Sequence, residues 1–216
     1  MSRIYFYKLT VDDLGAPCVQ DGILSLAICK PKIRCTATNN DFIFGFAANS
    51  LHADNRLIFI AKVTKKEING RYYQNKEYRQ RGDCIYDFNG TEYLWRQGSR
   101  YHGPAHLSHD LGKAPGFASA QVLLSNDYRY FGATCLIDYK SDFPEIKNAV
   151  EDLGRGHRVN HGKSLQDELC KLKDYVWQNN PNNFTGTPSN EPRRTACHRS
   201  RSCGVLKMPD SGNNCK

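Results

Sequence analysis

Phe42-Ile43-Phe44-Gly45-Phe46 and, beyond a polar loop over residues 49–55, Arg56-Leu57-Ile58-Phe59-Ile60-Ala61-Lys62-Val63 are the runs whose reading decides the fold. Both are strand-sized and rich in aromatic and β-branched residues, and turn formers such as Asn39-Asn40-Asp41 bound them. They predict two neighbouring strands of a meander. Upstream, Ile33-Arg34-Cys35-Thr36-Ala37-Thr38 alternates apolar and polar residues and predicts a further strand. Before it, Gly22-Ile23-Leu24-Ser25-Leu26-Ala27-Ile28-Cys29 runs into Lys30-Pro31 and reads either as a buried strand or as a short helix. Ile4, Phe6 and Leu9 suit a half-buried first strand.

Downstream, residues 64–112 are polar, basic and aromatic. Within them Asn89-Gly90, between Gly82–Phe88 and Glu92-Tyr93-Leu94-Trp95, predicts a hairpin closed by a type I′ turn. A loop carrying His102, His106 and His109 follows, then strand signals at 121–125 and 128–132. Two helices are expected at the end of the body. One starts at Pro144 with Ile146, Ala149, Val150 and Leu153 on one face and stops at Gly154. The other starts near Ser164 with Leu165, Leu169, Leu172 and Val176 as a buried stripe. The fold class is therefore α+β: a β-rich body with two C-terminal packing helices.

The 216 residues suit one domain plus an extension, with 39% hydrophobic and 11% aromatic residues to build a core. No stretch approaches the roughly 20 consecutive apolar residues of a membrane span, and the N-terminus reads as a strand rather than a signal peptide. The chain is accordingly expected in the cytoplasm, without a membrane partner. Its nine cysteines are odd in number, and several, such as Cys29 and Cys135, lie in apolar segments; they read as reduced thiols behaving as small hydrophobes. Of the net charge of +8, half lies beyond residue 178, where six Lys/Arg face two acids in a stretch rich in Asn, Pro, Ser and Gly. Residues 1–178 are thus expected to form the domain, and 179–216 a basic tail that buries too little to order itself.

Several blocks resemble the nucleotide modification associated domain 2 family over roughly residues 3–178. They are Ile28-Cys29-Lys30-Pro31-Lys32-Ile33-Arg34, Asp41-Phe42-Ile43-Phe44-Gly45, the 56–63 run, Gly82-Asp83-Cys84-Ile85-Tyr86, Ser108-His109-Asp110, Val122-Leu123-Leu124-Ser125 and Tyr130-Phe131-Gly132. The resemblance implies a role with nucleotides or modified bases, in the DNA-modification systems common in phages and bacteria. It implies no settled reaction and no cofactor. The 41–63 region also looks like PUA-like barrels of the ASCH and EVE kind, which implies a barrel or a strongly bent sheet with a base-binding cleft. Fold analogy alone carries no function.

Candidate chemistry falls on three groups of residues. Lys30 and Arg34, with Asp41 and Arg56, are candidates for holding a nucleotide: cations for phosphate, a carboxylate for a base edge. Tyr73 or Tyr86 would stack on the base. Asp110 is added as a ligand-binding residue. His109, Asp83 and Tyr86 are candidates for acid–base chemistry, since a carboxylate near a histidine is what such chemistry requires. No metal is expected, because Gly103-Pro104 breaks a helical arrangement of the three histidines; Cys197, His198, Cys203 and Cys215 lack the paired spacing of ordinary zinc modules. Three functions compete: a binding module in a basic cleft, an enzyme acting on a nucleotide or base, and a scaffold beside DNA-modification proteins that uses its tail on nucleic acid.

Overall fold

In chain order the strands and helices begin with β1 (Ile4–Leu9), β2 (Cys18–Gln20), β3 (Ile23–Leu26), α1 (Pro31–Thr36), β4 (Phe42–Ala47) and β5 (Leu57–Lys62). They continue with β6 (Lys65–Glu67), α2 (Arg71–Gln74), β7 (Tyr86–Phe88), β8 (Tyr93–Trp95), α3 (Leu107–Leu111), β9 (Val122–Ser125) and β10 (Asp127–Gly132). The last are α4 (Tyr139–Asp142), α5 (Pro144–Asp152), β11 (His157–Arg158), α6 (Lys163–Asn179) and β12 (Phe184–Thr187). The computed structural model describes residues 2–135 and 137–191.

The expected β4–β5 pair lies at the centre of a six-stranded sheet ordered β11-β1-β4-β5-β10-β12. β1 runs parallel to β4, and β5 antiparallel to both β4 and β10. Because β1 lies between neighbours and is covered on both faces, it has no solvent side, and the half-buried reading of it fails. Ile4 and Phe6 join one core, with Phe44 and Phe46, while Tyr5 and Tyr7 join another. A strand buried on both faces need not alternate.

The first core is closed by α4, α5 and α6. Ile146, Ala149 and Val150 from α5 and Leu165, Leu169, Leu172 and Val176 from α6 pack on Phe44 and Phe46, as their spacing predicts. On the opposite face lies a four-stranded sheet ordered β2-β3-β9-β6, with Leu24, Leu26 and Leu123 packed against Tyr5, Tyr7 and Ile58. β7 and β8 form a separate two-stranded sheet over a third, tyrosine-rich core. The architecture is mixed α+β. The large sheet ends at β11 and β12, and no barrel closes among the described residues.

Three local expectations change. Residues 33–38 were read as a strand, yet Pro31–Thr36 is helical. Pro31 sits in the first turn, where its missing N–H costs nothing, and Ile33 and Ala37, four apart, are both fully buried. The Asn89-Gly90 hairpin forms, but Phe88 pairs with Tyr93, so the connection has four residues rather than two. Asn89 Oδ1 accepts from the N–H groups of Thr91 and Glu92, an Asx turn in place of type I′.

The chain also stays in the fold past residue 178. β12 adds to the sheet parallel to β10. Gly132 and Gly186 face this pairing, where a Cβ on either would strike the other strand's backbone oxygens, at Thr187 and Phe131. Buried Asp12 accepts from the Tyr130 hydroxyl at 2.6 Å, the Ser189 N–H at 2.9 Å and the Ser189 hydroxyl at 2.8 Å. Composition misleads here because main-chain hydrogen bonds to a sheet edge, rather than apolar side chains, hold this stretch. The remainder of the expected tail, from residue 192, lies outside the described residues.

Candidate active site

The β3–α1 connection passes through two consecutive non-glycine residues in the left-handed region, Cys29 (φ 58°) and Lys30 (φ 43°). Each such residue costs about 1–2 kcal/mol, so the bend persists only where its surroundings over-determine it. Arg34, one turn into α1 and fully buried, does this. Its guanidinium donates to four main-chain carbonyls: Cys29 (2.7 Å), Ser119, Gln121 and Asp110 (2.6 Å each). The Cys29 N–H in turn donates to Asp110 Oδ1 at 3.0 Å. One side chain thereby ties the cysteine bend to α3 and to the loop entering β9.

On this bend Cys29 Sγ lies 3.2 Å from His102 Nε2. The other ring nitrogen, Nδ1, lies 2.6 Å from Oδ2 of Asp110, which is fully buried and also accepts from the Tyr86 hydroxyl at 2.7 Å. Trp95 Nε1 donates to the His102 carbonyl at 3.1 Å, and the His102 ring stacks on His106 with centroids 4.5 Å apart. The result is a cysteine–histidine–aspartate line, with a tyrosine holding the aspartate from behind.

Burial opposes charge on His102, but the hydrogen bonds to Asp110 and Cys29 and the charges of both outweigh it, and the imidazole is pushed up to about 10. It is therefore protonated at neutral pH. Its contribution to folding is full below the ordinary histidine value near 6.5 and is lost as the pH rises through about 10. Burial works against ionised Asp110 too, yet the His102 hydrogen bond and charge, the Tyr86 hydroxyl and the Cys29 N–H hold it below the usual carboxylate value. Burial, then the Asp110 charge and hydrogen bond, push the Tyr86 hydroxyl far up, so it donates and does not ionise. A thiol beside an imidazolium that a carboxylate orients is the arrangement nucleophilic thiol chemistry uses.

Cys29 and His102 line a cleft of about 590 Å³ between β1, the start of α1 and the 155–157 turn. Among the described residues its Lys and Arg side chains are Lys8, Lys30, Lys32 and Arg155, against a single acid, Asp13. The potential favours an anion.

The residues singled out from sequence separate. Lys30 and His109 line the cleft, and Asp110 and Tyr86 stand behind His102. Arg34 points inward with four of its N–H groups donated to carbonyls, so it is a brace rather than a phosphate fork. Asp83 is buried elsewhere, accepting from Ser25 and Tyr72 hydroxyls at 2.5 Å each beside Arg81, and it forms no constellation with His109. Asp41 is bound by Arg3 and Thr38. Arg56 pairs with Asp54 and lines a different cavity with Cys135 and Tyr139. Tyr73 is a core residue whose hydroxyl donates to the Ala27 carbonyl, and it offers no stacking face to a ligand in the cleft.

Cys29 and His102 were missed as a pair. Cys29 read as a small hydrophobe and His102 only as a metal candidate. The available signal was a cysteine directly before Lys-Pro at a strand end, and a His–Asp pair eight residues apart in one loop. Among the described residues no group of three His, Cys, Asp or Glu side chains is placed to hold a metal ion; Cys197, His198, Cys203 and Cys215 lie outside them. No described helix is long and apolar enough to cross a membrane.

Fold and site together define a mixed α+β domain with a cysteine–histidine–aspartate centre in a basic cleft. The chain belongs to the nucleotide modification associated domain 2 family, whose sequence profile matches residues 1–194. That membership associates it with nucleotide modification. No curated protein and no solved structure is similar enough to match.

Proposed function

We propose that this chain is a cysteine-nucleophile enzyme serving nucleotide modification, with Cys29 attacking, His102 moving the proton and Asp110 orienting His102. The observation that carries this reading is the unbroken line Sγ–Nε2 (3.2 Å) and Nδ1–Oδ2 (2.6 Å) opening on a cleft. The chemistry it fits best is acyl transfer. Attack starts from the ion pair in which His102 carries the proton given up by Cys29: the sulfur forms a bond to a carbonyl carbon while the π pair moves to oxygen. Collapse then expels the leaving amine or alcohol, which takes its proton from His102. The resulting thioester passes its acyl group to water or an amine, whose proton returns to His102, and Cys29 is released. Tyr86 keeps the Asp110 carboxylate aimed and does not touch the reacting atoms.

Iodoacetamide tests the nucleophile without a known substrate. At pH 7, Cys29 is expected to be alkylated about tenfold or more faster than partly exposed Cys35 and Cys170, with peptide mass spectrometry reading each site. His102→Gln should remove that advantage. Equal rates at the three thiols, or a rate at Cys29 indifferent to His102, would sink the reading.

The cations around the cleft favour a second reading, in which the same cleft binds a nucleotide without turnover. A Cys29→Ala protein then retains the whole function. Saturation at about 100 times the dissociation constant should add about 2.7 kcal/mol of apparent stability, visible in a thermal-shift screen of nucleotides, modified nucleosides and short oligomers. A shift accompanied by a Cys29 no more reactive than the other thiols favours binding alone. No shift with any of these ligands discards it.

A further inference from the structure

Next to Cys29, Lys30 stands in an unusual position. Its ammonium lies 4.5 Å above the centre of the Tyr7 ring. Among the described residues it makes no ion pair and no side-chain hydrogen bond. Lys30 is only partly exposed, and burial lowers its pKa. Tyr7 beneath it is fully buried, and its hydroxyl has no hydrogen-bond partner among the described residues. Both residues line the cleft that holds Cys29. Half-buried lysines are ordinarily paired, because a partly desolvated charge without a counter-ion is costly. Here the left-handed backbone of residues 29 and 30 and the Pro31 that follows bring Cys29 and Lys30 into one cleft, and no described acid pairs with the ammonium.

We infer that Lys30 is a specificity-determining residue that takes an anionic group, carboxylate or phosphate, carried by the substrate beside the carbon that Cys29 attacks. This rests on the reading of Cys29 as the nucleophile. Cys29 and Lys30 line the same cleft, which puts the anionic group near the reacting carbon rather than at a distant end of the substrate. Tyr7 holds the ammonium through its ring face. His102 serves the proton and Lys30 the charge, so each of these two cations in the cleft has its own task.

Iodoacetate and iodoacetamide separate the two claims. They differ in one carboxylate on the attacked carbon, and with each the Sγ–C bond forms as iodide leaves. The neutral reagent reports on the nucleophile alone; the ratio of the two rates reports on the anion. In the full chain at pH 7 the iodoacetate-to-iodoacetamide ratio at Cys29 should exceed that of free glutathione about tenfold. Lys30→Gln should bring the ratio down to the glutathione value, and Lys30→Arg should keep it raised. A wild-type ratio equal to that of glutathione, or a raised ratio that survives Lys30→Gln, overturns the inference even when Cys29 proves reactive toward iodoacetamide. Protection of Cys29 from iodoacetamide by inorganic phosphate but not by acetate assigns a phosphate-bearing substrate, and the reverse a carboxylate; protection by neither overturns the inference.

Discussion

Arg34→Ala is expected to cost about 4 kcal/mol of folding stability, the low end of what four stranded carbonyls imply at about 1–3 kcal/mol each. The carbonyls of Cys29, Asp110, Ser119 and Gln121 all accept from this one guanidinium. Alanine leaves them facing a void that water fills only in part. A domain of this size has about 5–15 kcal/mol in total, so much of the protein would be unfolded under mild denaturant. Urea denaturation measures this directly. Arg34→Lys should recover part of the loss, since one ammonium cannot span four acceptors in the guanidinium's plane. A loss below about 1 kcal/mol would show that the brace is dispensable. The sequence suggested instead a nucleotide-holding arginine.

The second large effect belongs to Asp110→Asn. The amide keeps the shape of the carboxylate but loses its charge, and in either orientation its N–H₂ meets a donor: the Cys29 N–H, or the Tyr86 hydroxyl and the His102 ring. Burial, which lowers the His102 pKa, then meets only the interaction with Cys29, so the imidazole should titrate well below about 10. Alkylation of Cys29 by iodoacetamide at pH 7 should slow about a hundredfold, because a neutral ring no longer supports the sulfur as an imidazolium does. NMR titration of the ring, together with the alkylation rate, checks both parts. An imidazole still titrating near 10 in Asp110→Asn would deny the carboxylate its role. An unchanged alkylation rate would separate Asp110 from the reactivity of Cys29.

The parts of the fold that were legible are those where one segment carries its own periodicity. The apolar runs of β4 and β5 and the stripes of α5 and α6 need no distant partner to declare themselves, because burying one face dictates their spacing. α1 was illegible for a physical reason. Ile33-Arg34-Cys35-Thr36 alternates like a strand, and only the four carbonyls that gather around Arg34 make its burial, and hence the helix, favourable. The strand at 184–187 was hidden in the same way. Polar residues cannot advertise burial, and its stability comes from the edge of β10 and from Asp12, far away in the chain.

The candidate site divides along the same line. Ser108-His109-Asp110 and Ile28-Cys29-Lys30-Pro31 stood out as family blocks, so the neighbourhood was marked without its chemistry. The sulfur and the imidazole that face each other are 73 positions apart, and no local pattern encodes that meeting. From sequence alone came the α+β class, the central strands, the packing helices and the family. Tertiary structure alone decided that Arg34 braces rather than binds, that Asp83 and His109 do not meet, and that Cys29, His102 and Asp110 do. Periodicity reports which face a segment buries, whereas a site forms where distant segments are brought together by the burial of all of them.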